Sequence, residues 1–236
     1  MKKTIFIFLV FFHSLYGLDI QEDFFEELNT EYHQEAEKIS DPLEKYNRFM
    51  TDVNWTLYDY VFSPITDTYT TITPKGLRIG IYNFFDNLGS GLRFVSSLVS
   101  LRPKEAMDEL GRFMLNTVFG FGGIFDIATP NKLYSHDTDF GIALGRLGVD
   151  SGIHLVLPIV GPRNLRDTLT MPLNALASPT TYLDSGALSL SAYTLRNINY
   201  TSRHKDTLDT FRADSLDTYI LIRDAYEQRR ESLIKD

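Results

Sequence analysis

The sequence predicts an all-α fold, and two observations carry that prediction. Apolar residues recur at three- and four-residue spacing through several stretches, most cleanly in the tail, where Leu208, Phe211, Ser215, Tyr219, Ile222, Tyr226 and Leu233 form one stripe. Glycines gather between such stretches instead of scattering, at Gly120, Gly122 and Gly123 and again at Gly141, Gly145, Gly148 and Gly152, which reads as tight bends and close approach between helices. A third observation qualifies the class: Ile153, Leu155 and Leu157 alternate with His154, Val156 and Pro158, leaving room for a brief extended segment or hairpin before a Gly161-Pro162 turn.

The 236 residues, 43% of them hydrophobic, suffice for one sizeable domain or two small ones, and nothing requires a second core. A formal charge of −8 argues against a general nucleic-acid binder. The absence of cysteine removes disulfides, thiol nucleophiles and cysteine metal ligands.

In order along the chain, residues 1–17 read as a secretory signal peptide: Lys2 and Lys3, an apolar run from Ile5 to Phe12, then Ser14-Leu15-Tyr16-Gly17 before the sequence turns polar. Residues 18–40 form an acidic arm, as a short amphipathic helix or a mobile segment. Residues 41–236 carry the helical domain. Ser40 or Asp41 caps its first helix, with Pro42 in the first turn, and Tyr46, Phe49, Val53, Leu57 and Tyr60 make an apolar stripe. Asn47, Arg48 and Asn54 lie on its other faces, where they line a polar path or tie neighbouring helices together. Trp55 suits either a lipid headgroup boundary or a core. Ser63 to Thr73, between Pro64 and Pro74, predicts a weak, interrupted helix.

Two short apolar helices are expected next, one through Leu77, Ile81, Phe84, Phe85 and Leu88 that stops near Gly89 and Gly91, the other through Phe94, Val95, Leu98, Val99 and Leu101. They suit interfacial elements in one membrane leaflet, or the core of a soluble helical domain. Lys104 to Phe119 predicts a helix with Ala106, Leu110, Phe113, Met114 and Val118 as its apolar face and Arg112 and Asn116 sharing another. Asp126 and Asp139 are available counter-charges for Arg112, Arg146 or Arg166. Gly141 and Gly145 permit close helix packing. Arg166 and Asp167 look like a helix-entry pair, and helices with a kink follow to Leu195. The tail helix from Asp206 has a charged flank, Arg223 to Glu231, read as mainly solvated.

Four ordered motifs run through this framework. Asp41, Pro42, Leu43, Glu44, Asn47 and Arg48 form the first. Arg112, Phe113, Leu115, Asn116, Thr117, Gly120, Gly122, Gly123, Phe125, Asp126 and Ala128 form the second. The third comprises Asp139, Phe140, Gly141, Leu144, Gly145, Gly148, Val149, Gly152, Leu157, Pro158, Gly161, Pro162, Arg166 and Asp167. The fourth is Asp217, Tyr219, Ile220, Arg223, Ala225, Tyr226 and Arg229. Together they resemble the MlaA (VacJ) family from about Asp41 to about Arg230. The resemblance implies a helical ring in the periplasmic leaflet of a Gram-negative outer membrane. It further implies association with a porin trimer and passage of mislocalised outer-leaflet phospholipid through a polar channel to a periplasmic lipid carrier. No cofactor is implied. Many members are lipoproteins, whereas Leu18 stands here where the lipobox cysteine would be, so apolar surface and partners are expected to hold the protein at the membrane.

Two other classes remain open. One is a porin-associated envelope scaffold without transport. The other is a lipid-acting hydrolase, although Gly89-Ser90-Gly91 lacks the outer context of a nucleophile elbow. His136-Asp137-Thr138-Asp139 lacks the spacing of a zinc helix, and Gly120 to Gly123 lacks the lysine of a phosphate loop.

Overall fold

The computed structural model describes residues 41–236; the expected signal peptide, the acidic arm and a cap at Ser40 lie outside them. The described chain is helical apart from one hairpin. α1 (Glu44–Leu57) runs through a π-helical turn (Tyr58–Phe62) into α2 (Ser63–Ile72), then α3 (Lys75–Val99) and α4 (Pro103–Val118). After the glycine bend come α5 (Phe140–Arg146), β1 (His154–Leu157), β2 (Gly161–Asn164), α6 (Leu165–Ala177), α7 (Gly186–Asp214) and α8 (Thr218–Lys235). The order of contacts closes on itself: α2 packs on α7, α7 on α3, α3 on α5, α5 on α8, α8 on the hairpin and the hairpin on α1. α4 and α6 pack outside this circuit, against α3 and α5.

Several boundaries differ from the sequence expectation. The chain continues helically past Pro64 because proline in the first turn of α2 forfeits no hydrogen bond. α3 runs unbroken through Gly89 and Gly91: Gly89 marks close approach, since a Cβ there would sit 2.9 Å from Arg93 Nη1, while a Cβ on Gly91 would meet open space. The tail is two helices, because Asp217 accepts from Tyr219 and Ile220 amides and restarts the chain as α8. The hairpin turn falls at residues 158–160, with Ile159 in the left-handed region, and Gly161 and Pro162 open β2.

The structure decides which faces are buried. α4 buries Ala106, Glu109, Arg112 and Asn116, while Phe113, Met114 and Val118 of its apolar face point outward. α3 buries Asn87, Ser90, Arg93, Ser96 and Ser97 and exposes Leu77, Leu98 and Val99. α6 buries Arg166, Asp167, Thr170 and Asn174 and exposes Leu169, Leu173 and Leu176. The same holds for α1, where Asn47 and Thr51 are inside and Phe49 outside, as is Tyr60 in the following π-helical turn. These four helices turn apolar faces outward, as interfacial elements would, while α8 buries Tyr219, Tyr226 and Leu233 of its stripe. No helix among the described residues is long and apolar enough to cross a membrane.

The hairpin is held by asparagines on α1. Asn47 donates to the His154 carbonyl at 3.2 Å and accepts the Val156 amide at 2.8 Å. Seven residues on, Asn54 donates to the Leu157 carbonyl and accepts the Ile159 amide. Two carboxamides at helical spacing thus act as a third strand for the free edge of β1, which satisfies backbone groups that would otherwise be left unpaired. Replacing Asn47 with alanine should cost about 2–4 kcal/mol, since two buried backbone groups lose their partners. Asn54→Ala, at a part-buried position, should cost less, and thermal unfolding of the purified variants in detergent distinguishes the two.

Candidate functional site

The circuit of helices surrounds a cavity of about 300 Å³, walled by α1, α3, α5, α7, α8 and the hairpin. Its lining is mostly apolar, with Phe85, Leu92, Leu208, Phe211 and Leu221 among the contributors, but it also takes in Arg93, Arg212, Arg230 and Asp139. Of the motif residues singled out in the sequence, Asp139, Gly161, Pro162, Ala225, Tyr226 and Arg229 reach this wall. Most of the polar ones join three networks around it.

The first network locks α5, α6 and α8. Arg230 makes a two-pronged contact with Asp139 at 3.0 and 2.8 Å, and its Nε lies 2.8 Å from Asp167 Oδ2. Tyr226 donates to the same Asp167 oxygen and Arg166 Nε to the other. Asp139 also caps α5 through the Ile142 amide, and Asp167 is positioned by the Asn164 cap of α6. Gly141 lets these charges meet, for a Cβ there would lie 2.2 Å from Asp167 Oδ1 and 2.6 Å from Arg230 Nη2. Gly145 similarly admits Ile234 and Arg166. Burial pushes the Asp139 carboxyl up, yet the Arg230 guanidinium holds it below the usual carboxylate range. Burial also pushes the Tyr226 phenol up, so it remains a hydrogen-bond donor to Asp167.

The second network sets the glycine bend. Arg93 bridges Asp86 and Glu109, and Arg112 reaches Asp86 at 3.5 Å and Asp126 at 3.7 Å. Asn116 receives the Ile127 and Ala128 amides at 2.7 and 2.9 Å and donates to Asp126. Burial raises the Asp126 carboxyl, but Thr129, through its hydroxyl and amide, and Arg112 bring it below its ordinary value. Phe121, Gly122 and Gly123 all have positive φ, so the bend is a left-handed run. Its aromatic tip is outside, with Phe121 79% exposed.

The third network ties the chain's first described residues to α8. Asn47 donates to both Asp41 oxygens, Tyr219 donates to Asp41, and Arg48 bonds Asp217 at 2.8 Å. His154, wholly buried, lies 2.7 Å from Glu227 through Nδ1. Pro42 is exposed before α1, and Arg223, buried beside Tyr219, bonds Asp224.

These placements revise the expected pairings. Asp126 does meet Arg112, but Asp139 serves Arg230, while Arg166 takes Asp167 and Arg146 takes Glu105. The flank of the tail helix read as solvated is partly interior: Arg223 and Arg230 are buried. Arg93, Glu109 and Arg230 were not singled out in the sequence. Arg230 could have been, since it falls at helical spacing from Tyr226 and Tyr219 within the apolar stripe, where an unpaired guanidinium would be untenable.

Two outcomes follow. A Cβ on Gly123 would lie 2.5 Å from Asn87 Cβ at φ +100°, whereas one on Gly122 meets open space at φ +74°. Gly123→Ala should therefore disrupt the bend, and Gly122→Ala should cost only about 1 kcal/mol of left-handed strain, as read by proteolysis at the bend and by thermal unfolding. Second, because the folded Asp139 value is depressed, its stabilisation is full above the unfolded carboxylate value near about 4 and is lost as pH falls through the folded value. Asp139→Asn should cost about 3–5 kcal/mol at neutral pH and show a shallower loss of stability in acid than the wild type.

The comparisons agree with this geometry. The family described as MlaA lipoprotein matches residues 39–233. A relative from Haemophilus influenzae (strain ATCC 51907 / DSM 11121 / KW20 / Rd), called intermembrane phospholipid transport system lipoprotein MlaA, is 31% identical over 214 residues, covering 88% of this chain and 84% of its own. A relative of the same description from Shigella flexneri is 33% identical over 196 residues, covering 81% and 77%. A solved structure described as "Structural basis for maintenance of bacterial outer membrane lipid asymmetry" superposes with a TM-score of 0.73 at 32% identity, over 83% of this chain and 99% of that one.

Proposed function

The chain belongs to the MlaA lipoprotein family, and from that premise we propose that it carries phospholipid out of the outer membrane, so maintaining the asymmetry of that bilayer. The observation that supports this most directly is the outward apolar face of α1, α3, α4 and α6. Leu169 is 68% exposed and Met114 58%, with Leu77, Leu173, Leu176, Val118 and Phe119 also outside, while asparagines, serines and paired arginines sit within. An aqueous surface of this kind would be unfavourable, and contiguous exposed apolar area of this extent marks contact with lipid or with another protein. In this reading the ring lies within one leaflet with its rim in hydrocarbon, which the outward apolar faces of α1, α3, α4 and α6 support.

The periplasmic leaflet is the one from which a lipid can leave toward a soluble carrier, and a porin trimer is the proposed neighbour for part of the rim. The motif residues then have structural duties in holding the ring open: Asp139, Gly141, Arg166, Asp167 and Tyr226 at the α5–α6–α8 junction, and Arg112, Asn116, Gly120, Gly123 and Asp126 at the bend. Transport is passive, and no step in it forms or breaks a bond.

Asp substituted for Met114 or Leu169 separates this from a soluble ring. At an aqueous surface each change stays within about 0.5 kcal/mol and leaves fractionation untouched. At a lipid-facing position each costs about 2–3 kcal/mol. The double variant should shift from the membrane to the soluble fraction and lose lipid asymmetry; a membrane-bound, fully active variant refutes the embedded rim.

A further inference from the structure

Beside the central cavity lies a second, polar hollow of about 390 Å³, and the two share Thr51, Trp55, Arg212 and Thr218 in their walls. Its remaining lining includes Arg48, Asp52, Asp217 and Tyr219. The mostly apolar chamber therefore adjoins, across one partition, a charged vestibule. In the partition the Arg212 guanidinium lies over the Trp55 ring at 4.6 Å and is steadied by Asp59 at 2.6 Å. Across the vestibule Arg48 repeats the arrangement, 4.8 Å above the Tyr219 ring and held by Glu44 and Asp217 at 2.8 Å each. Stacking and a carboxylate fix each guanidinium in place while leaving N–H groups directed elsewhere: Arg48 Nη2, and Arg212 Nε and Nη2, bond no described residue. Asp52 is exposed on the same wall and has no ion-pair or hydrogen-bond partner for its carboxylate among the described residues.

We propose that this vestibule receives the headgroup of a zwitterionic phospholipid, its phosphate on Arg212 and Arg48 and its ammonium on Asp52, and that it thereby favours amine-bearing headgroups over anionic ones. The inference deepens the transport reading and rests on it. The charge balance argues for it. Two guanidiniums are surrounded by Asp52, Asp59, Asp217 and Glu44, so the site is net negative. An anionic glycerol headgroup gains the two arginines but meets the surplus of carboxylates with nothing to offer them. An ethanolamine headgroup gains the same arginines and also neutralises the one unpaired carboxylate. The planar guanidinium fork suits a phosphate, and a free carboxylate suits an ammonium, so each half of the headgroup has a partner of the right geometry. The apolar chamber adjoining the partition accepts the part of the molecule that the vestibule rejects.

The test uses the full chain purified in a nonionic detergent and titrated with phosphatidylethanolamine and phosphatidylglycerol carrying the same fluorescent acyl chain. Wild-type protein should bind the ethanolamine lipid more tightly, by about two- to fivefold for one exposed ion pair, with the preference fading as salt rises. Asp52→Asn should abolish the preference by weakening the ethanolamine lipid alone, Asp52→Lys should invert it, and Arg212→Gln should weaken both lipids together. Equal affinities in the wild type, or a preference untouched in Asp52→Asn, overturn the headgroup assignment and leave phospholipid transport standing. Binding of neither lipid overturns both.

Discussion

A ring that turns its apolar side chains outward must neutralise the charges it turns inward, because a buried guanidinium without a partner is costly. Every other feature of the molecule answers to that constraint. Arg93, Arg112, Arg146, Arg166 and Arg230 all point into the protein and all face carboxylates. A buried guanidinium beside a carboxylate gains little net stability over an apolar pair of the same volume, so these contacts are better understood as devices of position. They join helices far apart in the chain: Arg230 of α8 to Asp139 before α5, Arg93 of α3 to Glu109 of α4, Arg48 of α1 to Asp217 before α8. Because a misplaced helix would strand an unpaired charge, the pairs select one closure of the ring among the many that apolar contact alone would accept.

Glycine supplies the room for this. At Gly141 the space of one methyl group decides whether Arg230 and Asp167 can meet. At Gly123 the backbone passes against Asn87, whose amide bonds Thr117 and the Gly122 carbonyl, so the bend is pinned to α3 and not left as a loose loop. A bend fixed in this way serves packing first. The exposed Phe121 at its tip, itself in a left-handed conformation, shows that the fixed bend presents an aromatic surface outward instead of folding it away.

Periodicity makes the helices legible and leaves open which way each one faces. A stripe of Ala106, Leu110, Phe113, Met114 and Val118 states that one face of α4 differs from the other; it does not state which solvent each face meets. In α3 the sign was available, since Asp86, Asn87, Ser90, Arg93 and Ser97 are a narrow polar stripe on an otherwise apolar helix, and a polar minority is the signature of a helix bathed in oil. Neither Gly89 nor Gly91 ends α3, because glycine weakens a helix by only about 1 kcal/mol and packing outweighs it; at Gly89 the missing Cβ also admits the Arg93 side chain. The partner of Asp139 is beyond reach of spacing, because nothing in local sequence connects residue 139 to residue 230, whereas Arg166 takes the adjacent Asp167.

Pairing also bears on how a lipid could pass. A path conducts only if its sites are attractive enough to admit the passenger and weak enough to release it. A bare arginine in a chamber of low polarity would hold a phosphate tightly and stall the flow. In this wall Arg230 is already bound to Asp139 and Asp167, Arg93 to Asp86 and Glu109, and Arg212 to Asp59. Each can lend hydrogen bonds to a passing headgroup without a large change in net charge, so the wells stay shallow. A ring of shallow wells lowers a barrier and leaves the equilibrium where it was; a bias in direction requires something that treats the two ends differently, and a carrier that binds lipid on one side only is sufficient for that.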